Sequence, residues 1–197
     1  EKIVYIPENR AFDGKIIMLA GGTGAVGEAI CELLYRQGAS IAVVGRNADK
    51  LSALKSNYDS KRFMTVEADV TTEKDTQQAV AEIVKQWGHI DGLVNATGGF
   101  LFDTIEHISE EQWRKLMDIN VNAAFNLSKA VVPVMKKHGK GTIIHLGSKI
   151  SHNTNIPGGR VAYAATKYAL EGFGYALNRE LKKDHIRVCC LMPGTIS

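Results

Sequence analysis

Apolar residues follow two rhythms along this chain. Short apolar runs at residues 16–20, 40–44, 63–68, 90–95, 142–146 and 186–192 alternate with longer stretches whose apolar positions recur at helical spacing. The run Ile16-Ile17-Met18-Leu19-Ala20 has no polar member and predicts a strand buried on both faces. Val26, Ile30, Leu33 and Leu34 predict the first helix, which Gly38 ends. Asn47 is placed to cap a second helix reaching about residue 58. Thr71 or Thr72 starts a third, with Val80, Ile83, Val84 and Trp87 on one stripe and Gly88 at its end. Ser109-x-x-Gln112 is a capping box opening a long helical stretch over about 112–138, kinked or split by Pro133 and stopped by Gly139 and Gly141. A last helix covers about 161–183, and Pro193-Gly194 turns the chain away after the sixth strand.

Strands alternating with helices predict an α/β fold: a doubly wound parallel sheet of Rossmann type, strand order 3-2-1-4-5-6, with helices on both faces. The 197 residues suit one domain, 14–197, behind a lead-in at 1–13 with turns at Pro7 and Asp13-Gly14.

Composition changes this picture little. The net charge of +3 comes from scattered Lys and Arg, which builds no basic patch for nucleic acid or a membrane surface. The apolar runs are far too short to span a bilayer, and no signal-peptide pattern opens the chain, so the expected location is cytoplasmic. Cys31, Cys189 and Cys190 make no disulfide framework and read as packing residues in a reducing compartment. With no Cys/His cluster at ligand spacing, no metal is expected.

The first strand runs into Gly21, Gly24 and Gly27 and then into a helix, and Gly22-Thr-Gly24-Ala-Val-Gly27 fits G-x-G-x-x-G. In a chain with 19 glycines that triplet alone is weak. Its place between strand and helix gives it meaning, because unpaired N–H groups at a helix start bind a pyrophosphate. The second strand ends in Val44-Gly45-Arg46-Asn47. No carboxylate waits there for a ribose 2′-OH, and Arg46 offers a forked donor to a 2′-phosphate, so the expected cofactor is NADP, with NADPH preferred over NADH. Arg46 as an ordinary solvated residue is the plainer alternative. Asp69 ends the third strand, either accepting from the adenine amino group or capping the next helix.

Tyr163 and Lys167 lie four residues apart on one helix face. A fixed ammonium beside a phenol favours the phenolate, and such a tyrosine passes protons to and from a carbonyl oxygen. Ser148, beyond the fifth strand, has a hydroxyl to polarise that carbonyl, with Ser151 as local competitor. Asn120 stands in a helix where asparagine has poor propensity, which a bound side chain or water would explain; Asn122 and Asn126 read as filler. His145 and His152 have no carboxylate at helical spacing and read as strand and loop residues.

Taken in order, these residues resemble the short-chain dehydrogenase/reductase family from about residue 14 to 197. The matches are the glycine turn at 21–27, Arg46, Asp69-Val70, Leu93-Val-Asn-Ala-Thr-Gly98, Asn120, Ser148, Tyr163 with Lys167, and Pro193-Gly194. The resemblance implies a catalytic tetrad in a dinucleotide-binding and catalytic domain. Tyr163 would be the general acid/base, Ser148 would orient the carbonyl, Lys167 would also bind the nicotinamide ribose, and Asn120 would hold a water. It implies nucleotide contacts from Gly21, Thr23, Gly24, Ala25, Val26, Arg46, Asp69 and Val70. Further contacts would come from Asn95, Ala96, Gly98, Pro193, Gly194 and Ile196.

The departures are Ala20 and Ala25 in the turn, Ala96-Thr97 in the Asn-Asn-Ala-Gly motif, Gly147 where a serine is common, and a long interval from Ser148 to Tyr163. Relatives continue into a helical lid and a last strand, both expected to be absent from this chain. The implied activity is NADPH-dependent reduction of a small ketone or aldehyde by a homo-oligomer joined through its two long helices. A non-catalytic NADP-binding regulator or assembly partner, and a 3-oxoacyl-carrier-protein reductase, are the alternatives.

Overall fold

A computed structural model describes residues 10–152 and 155–194. Its six strands form one parallel sheet in the order β3-β2-β1-β4-β5-β6: β1 Ile16–Ala20, β2 Ser40–Gly45, β3 Phe63–Glu67, β4 Gly92–Asn95, β5 Gly141–Leu146 and β6 Ile186–Leu191. Every residue of β1 is buried, as its unbroken apolar run predicts. Alternate side chains of a strand face opposite ways, and β1 divides accordingly. Ile16, Met18 and Ala20 join one core with Val80, Ile83, Leu127 and Val131, whereas Ile17 and Leu19 join a second with Cys31, Leu34, Leu51 and Leu54. Each core residue of this size contributes about 1.5–3 kcal/mol relative to exposure.

Helices α3 (Glu73–Trp87), α5 (Ala123–His138) and α6 (Val161–Leu181) cover the first face, and α1 (Ala25–Arg36) with α2 (Ala48–Lys55) covers part of the second. Farther along that second face a cavity of about 500 Å3 opens at the N-terminal ends of β1, β4 and β5, bordered by Ile17, Asp91 and Thr142. Burial pushes the Cys31 thiol up to about 11, which keeps it a protonated packing group.

Two helix boundaries differ from the sequence reading. α2 stops at Lys55, and Tyr58 leaves the helix to stack on Phe63 at 4.3 Å and meet Tyr35 edge-on at 4.8 Å. The long stretch divides not at Pro133 but at residues 118–122. There α4 (Glu110–Met117) passes through a π-helical turn, Asp118–Asn122, into α5. Pro133 is exposed within α5, where water can satisfy the Lys129 carbonyl that loses its partner. Of the two candidates for starting α3, Thr72 is the N-cap, accepting from the Asp75 N–H.

Candidate active site

The C-terminal ends of β1, β4 and β5 meet the start of α6 around a cleft of about 340 Å3, bordered by Val26, Gly98, Phe100, Ser148, Tyr163, Lys167 and Pro193. At the end of β1, Gly21 has φ +80°, and a Cβ there would lie 2.8 Å from the backbone of Ala96. Gly27 is tighter still, since its Cβ would lie 2.2 Å from the Gly21 carbonyl oxygen. Both absences let α1 begin directly against the turn. Its N-cap, Gly24, has no side-chain cap, which leaves the N–H groups of Ala25 and Val26 without a side-chain acceptor. With the helix dipole behind them they fit a pyrophosphate.

Across this turn, a Cβ on Gly45 would stand 3.8 Å from the Thr23 hydroxyl. Arg46 is exposed and reaches Asp69 at 3.6 Å. Asp69 does not cap α3. Its Oδ1 accepts from the Thr71 N–H at 3.0 Å and hydroxyl at 2.7 Å. Burial raises the Asp69 pKa, but the Thr71 bonds and Arg46 outweigh it and hold the carboxyl below its ordinary value. Val70 is buried, and Asn126, far from filler, donates to its carbonyl at 3.2 Å.

The loop after β4 is braced from two sides. Asn95 is buried; its Oδ1 accepts from the Thr97 N–H at 3.0 Å and hydroxyl at 2.5 Å, and its amide meets His145 Nδ1 at 3.3 Å. The other ring nitrogen of His145 lies 3.2 Å from the Ser128 hydroxyl. Burial lowers the His145 pKa to about 4 and keeps it neutral, so it serves as a linker inside the sheet. Thr97, a departure from the family motif, thus supplies a polar contact to Asn95.

Asn120 provides the second brace from the π-helical turn. Its Oδ1 accepts from the Gly99 N–H at 2.7 Å, and its amide donates to the Gly99 carbonyl at 3.1 Å and to the Thr166 hydroxyl at 2.9 Å. Thr166 in turn donates to the Tyr163 carbonyl at 2.8 Å. Gly98 lies close beneath, where a Cβ would come within 3.2 Å of Asn120 Oδ1 and 3.7 Å of Lys167 Nζ. Thr166 was not singled out in the sequence, and Thr97 was marked only as a departure from the family motif. Thr166 had one faint signal, its place three residues after Tyr163 on the same helix.

Ser148 borders the cleft and accepts from the Ile150 N–H at 3.3 Å. Ser151 is buried in the following 3₁₀ turn and donates to the Ser148 carbonyl at 3.0 Å, whereas Ser148 borders the cleft. Lys167 is buried, donates to the Leu146 carbonyl at 3.0 Å and stands 5.6 Å from the Tyr163 ring centre. Burial depresses its ammonium to about 8. Phe100, another residue the sequence did not mark, meets the Tyr163 ring edge-on at 4.8 Å.

Pro193 and Gly194 border the cleft, and the Pro193 carbonyl accepts from the Lys149 N–H at 3.0 Å. Ile196 lies outside the described residues. His152 does have a carboxylate partner, Glu171 at 2.9 Å, supplied by α6 rather than by its own neighbours in sequence.

Comparison with known proteins gives the family of the chain. The short chain dehydrogenase family model matches residues 15–197. An uncharacterized oxidoreductase of Staphylococcus epidermidis is 30% identical over 182 residues, 92% of this chain and 78% of the relative. Dehydrogenase/reductase SDR family member 4 of Caenorhabditis elegans is 33% identical over 196 residues, 97% of this chain and 75% of that protein. The structure of a short-chain type dehydrogenase/reductase from Mycobacterium ulcerans superposes with a TM-score of 0.88 at 28% identity, covering 94% of this chain and 69% of that one. The chain belongs to the short-chain dehydrogenase family, whose members are oxidoreductases.

Proposed function

We propose that this protein is an NADPH-dependent reductase of small ketones or aldehydes, able to run in reverse as an alcohol dehydrogenase. The observation that carries the reading is Lys167: a buried ammonium, fixed on the Leu146 carbonyl beside the Tyr163 ring. A lysine is costly to bury, and its position beside a phenol accounts for that cost. When bound, the reduced nicotinamide supplies the hydride that turns a carbonyl carbon into that of an alcohol. Tyr163 gives its hydroxyl proton to the carbonyl oxygen, and the Lys167 ammonium stabilises the phenolate left behind until solvent returns a proton. Ser148 donates to the same oxygen and orients it. Asn120 keeps the Gly98–Gly99 loop at a fixed distance from α6, so the tyrosine and the nicotinamide face are held in register.

Gly45, Thr23 and Arg46 support the preference for NADPH, because their corner holds one exposed guanidinium whose pairing with Asp69 is long at 3.6 Å, while the other oxygen of that carboxylate is held by Thr71. The test is NADPH consumption by the purified protein against a panel of small ketones and aldehydes, repeated with NADH. The expected result is turnover with NADPH favoured, and Arg46→Ala lowers that preference about tenfold or more. No turnover with any carbonyl, or equal use of both nucleotides, contradicts the proposal.

A further inference from the structure

The end of the sheet farthest from the cleft gathers three side chains that spacing along the chain does not reveal. His89 and Asp91 flank Ile90 in the short segment that joins α3 to β4. His138 is the last residue of α5. His89 Nε2 lies 3.1 Å from Asp91 Oδ2 and His138 Nε2 lies 3.7 Å from Asp91 Oδ1, while the two imidazoles stack at 4.1 Å. One ligand atom from each of the three falls within 4.8 Å of the other two.

Asp91 does not need both imidazoles. Its Oδ2 accepts from the Ile16 N–H at 2.9 Å and its Oδ1 from the Lys15 ammonium at 3.4 Å. Asp91 thereby presents a carboxylate to any cation at this point. The surroundings favour positive charge for a second reason. α3 and α5 both end here, capped by Gly88 and Gly139 in left-handed conformations, and helix C-termini carry partial negative charge. The side chains are 30%, 9% and 29% exposed, in the order His89, Asp91, His138. The partial exposure of both histidines gives an ion a way in.

We propose that His89, Asp91 and His138 form a binding site for a divalent transition metal of the zinc type. Two imidazole nitrogens and one carboxylate oxygen are a borderline donor set, suited to zinc, cobalt, nickel or copper rather than to calcium or magnesium. Two ligands of a tetrahedral zinc lie about 3.3 Å apart, given bonds near ~2.0 Å, so atoms that stand up to 4.8 Å apart close by roughly 1.5 Å, and the stacked imidazoles rotate apart to aim both nitrogens at one ion. Lys15 faces the same carboxylate and competes with the metal; half-exposed, it is free to swing into solvent. A bound ion ties the end of α5 to the start of β4, and through Asp91 to β1.

The test is equilibrium dialysis of the chelator-stripped full chain against zinc at neutral pH. The wild type retains a single zinc, and His89→Gln and His138→Gln each weaken binding about tenfold or more. Lys15→Met, which removes the competing ammonium, tightens binding, an outcome that no folding defect produces. The proposal is overturned if the wild type retains no zinc, if the double histidine variant binds zinc as tightly as the wild type, or if Lys15→Met weakens binding.

Discussion

Burial drives the Lys167 ammonium to about 8 from its ordinary 10.5, and that has two measurable consequences. After reductive methylation with 13C, the Lys167 resonance should titrate near pH 8; a midpoint at the ordinary 10.5 would contradict the burial. Between pH 8 and 10.5 the unfolded chain also holds a proton that the native chain lacks, so Lys167 makes native stability rise with pH across that window. His145 acts the same way at lower pH. Held near 4 by burial against an ordinary 6.5, it stays neutral in the native state while the unfolded chain takes up a proton. Its contribution to stability is therefore lost as pH falls from 6.5 toward 4. Thermal melts in that range should show Tm falling, with a shallower slope in His145→Gln; an unchanged slope would remove His145 as the cause.

Tyr163 and Lys167 were legible because four residues on a helix fix a shared face. Asn95 with His145, Asn120 with Gly99, and His152 with Glu171 were not, because those contacts join distant parts of the chain and exist only once the sheet is built.

The strand–turn–helix unit of β1 and α1 was legible almost whole, since an apolar run, spaced glycines and an amphipathic stretch each dictate their own local structure. Its glycines are not equivalent. A Cβ on Gly27 collides with the Gly21 carbonyl, whereas one on Gly24 meets it at 3.7 Å, an ordinary contact. Gly27→Ala should lower stability by about 1–3 kcal/mol in urea melts. Gly24→Ala, which meets no clash but replaces an N-cap glycine, should cost about 1 kcal/mol or less. Equal effects from the two would contradict this packing. The long helix is the opposite case. Proline is a conspicuous breaker in a sequence, yet Pro133 sits on the solvent side of α5 and does not end it. The true interruption is the turn that aims Asn120 at Gly99 and Thr166, and its cause lies in partners outside the helix.

The parallel doubly wound sheet followed from the alternation of strands and helices, because each crossover returns a parallel strand to one sheet with the same hand, whereas the order 3-2-1-4-5-6 came with the Rossmann-type reading. What alternation could not show is the cavity on the second face. α5 and α6 also present Phe125, Tyr168 and Tyr175, exposed at 48%, 46% and 63%. Aromatic rings left in water on two neighbouring helices support the proposed homo-oligomer. Light scattering should give a mass above that of one chain, and Tyr175→Glu should reduce it; a monomeric wild type would contradict the assembly.

The account depends most on the proton that Tyr163 gives and Lys167 steadies. Steady-state reduction of a responsive ketone by Tyr163→Phe, with NADPH affinity measured alongside by calorimetry, tests it most directly. The expected result is kcat lower by roughly a hundredfold to ten-thousandfold with nucleotide affinity retained. A variant that turns over at the wild-type rate would contradict it.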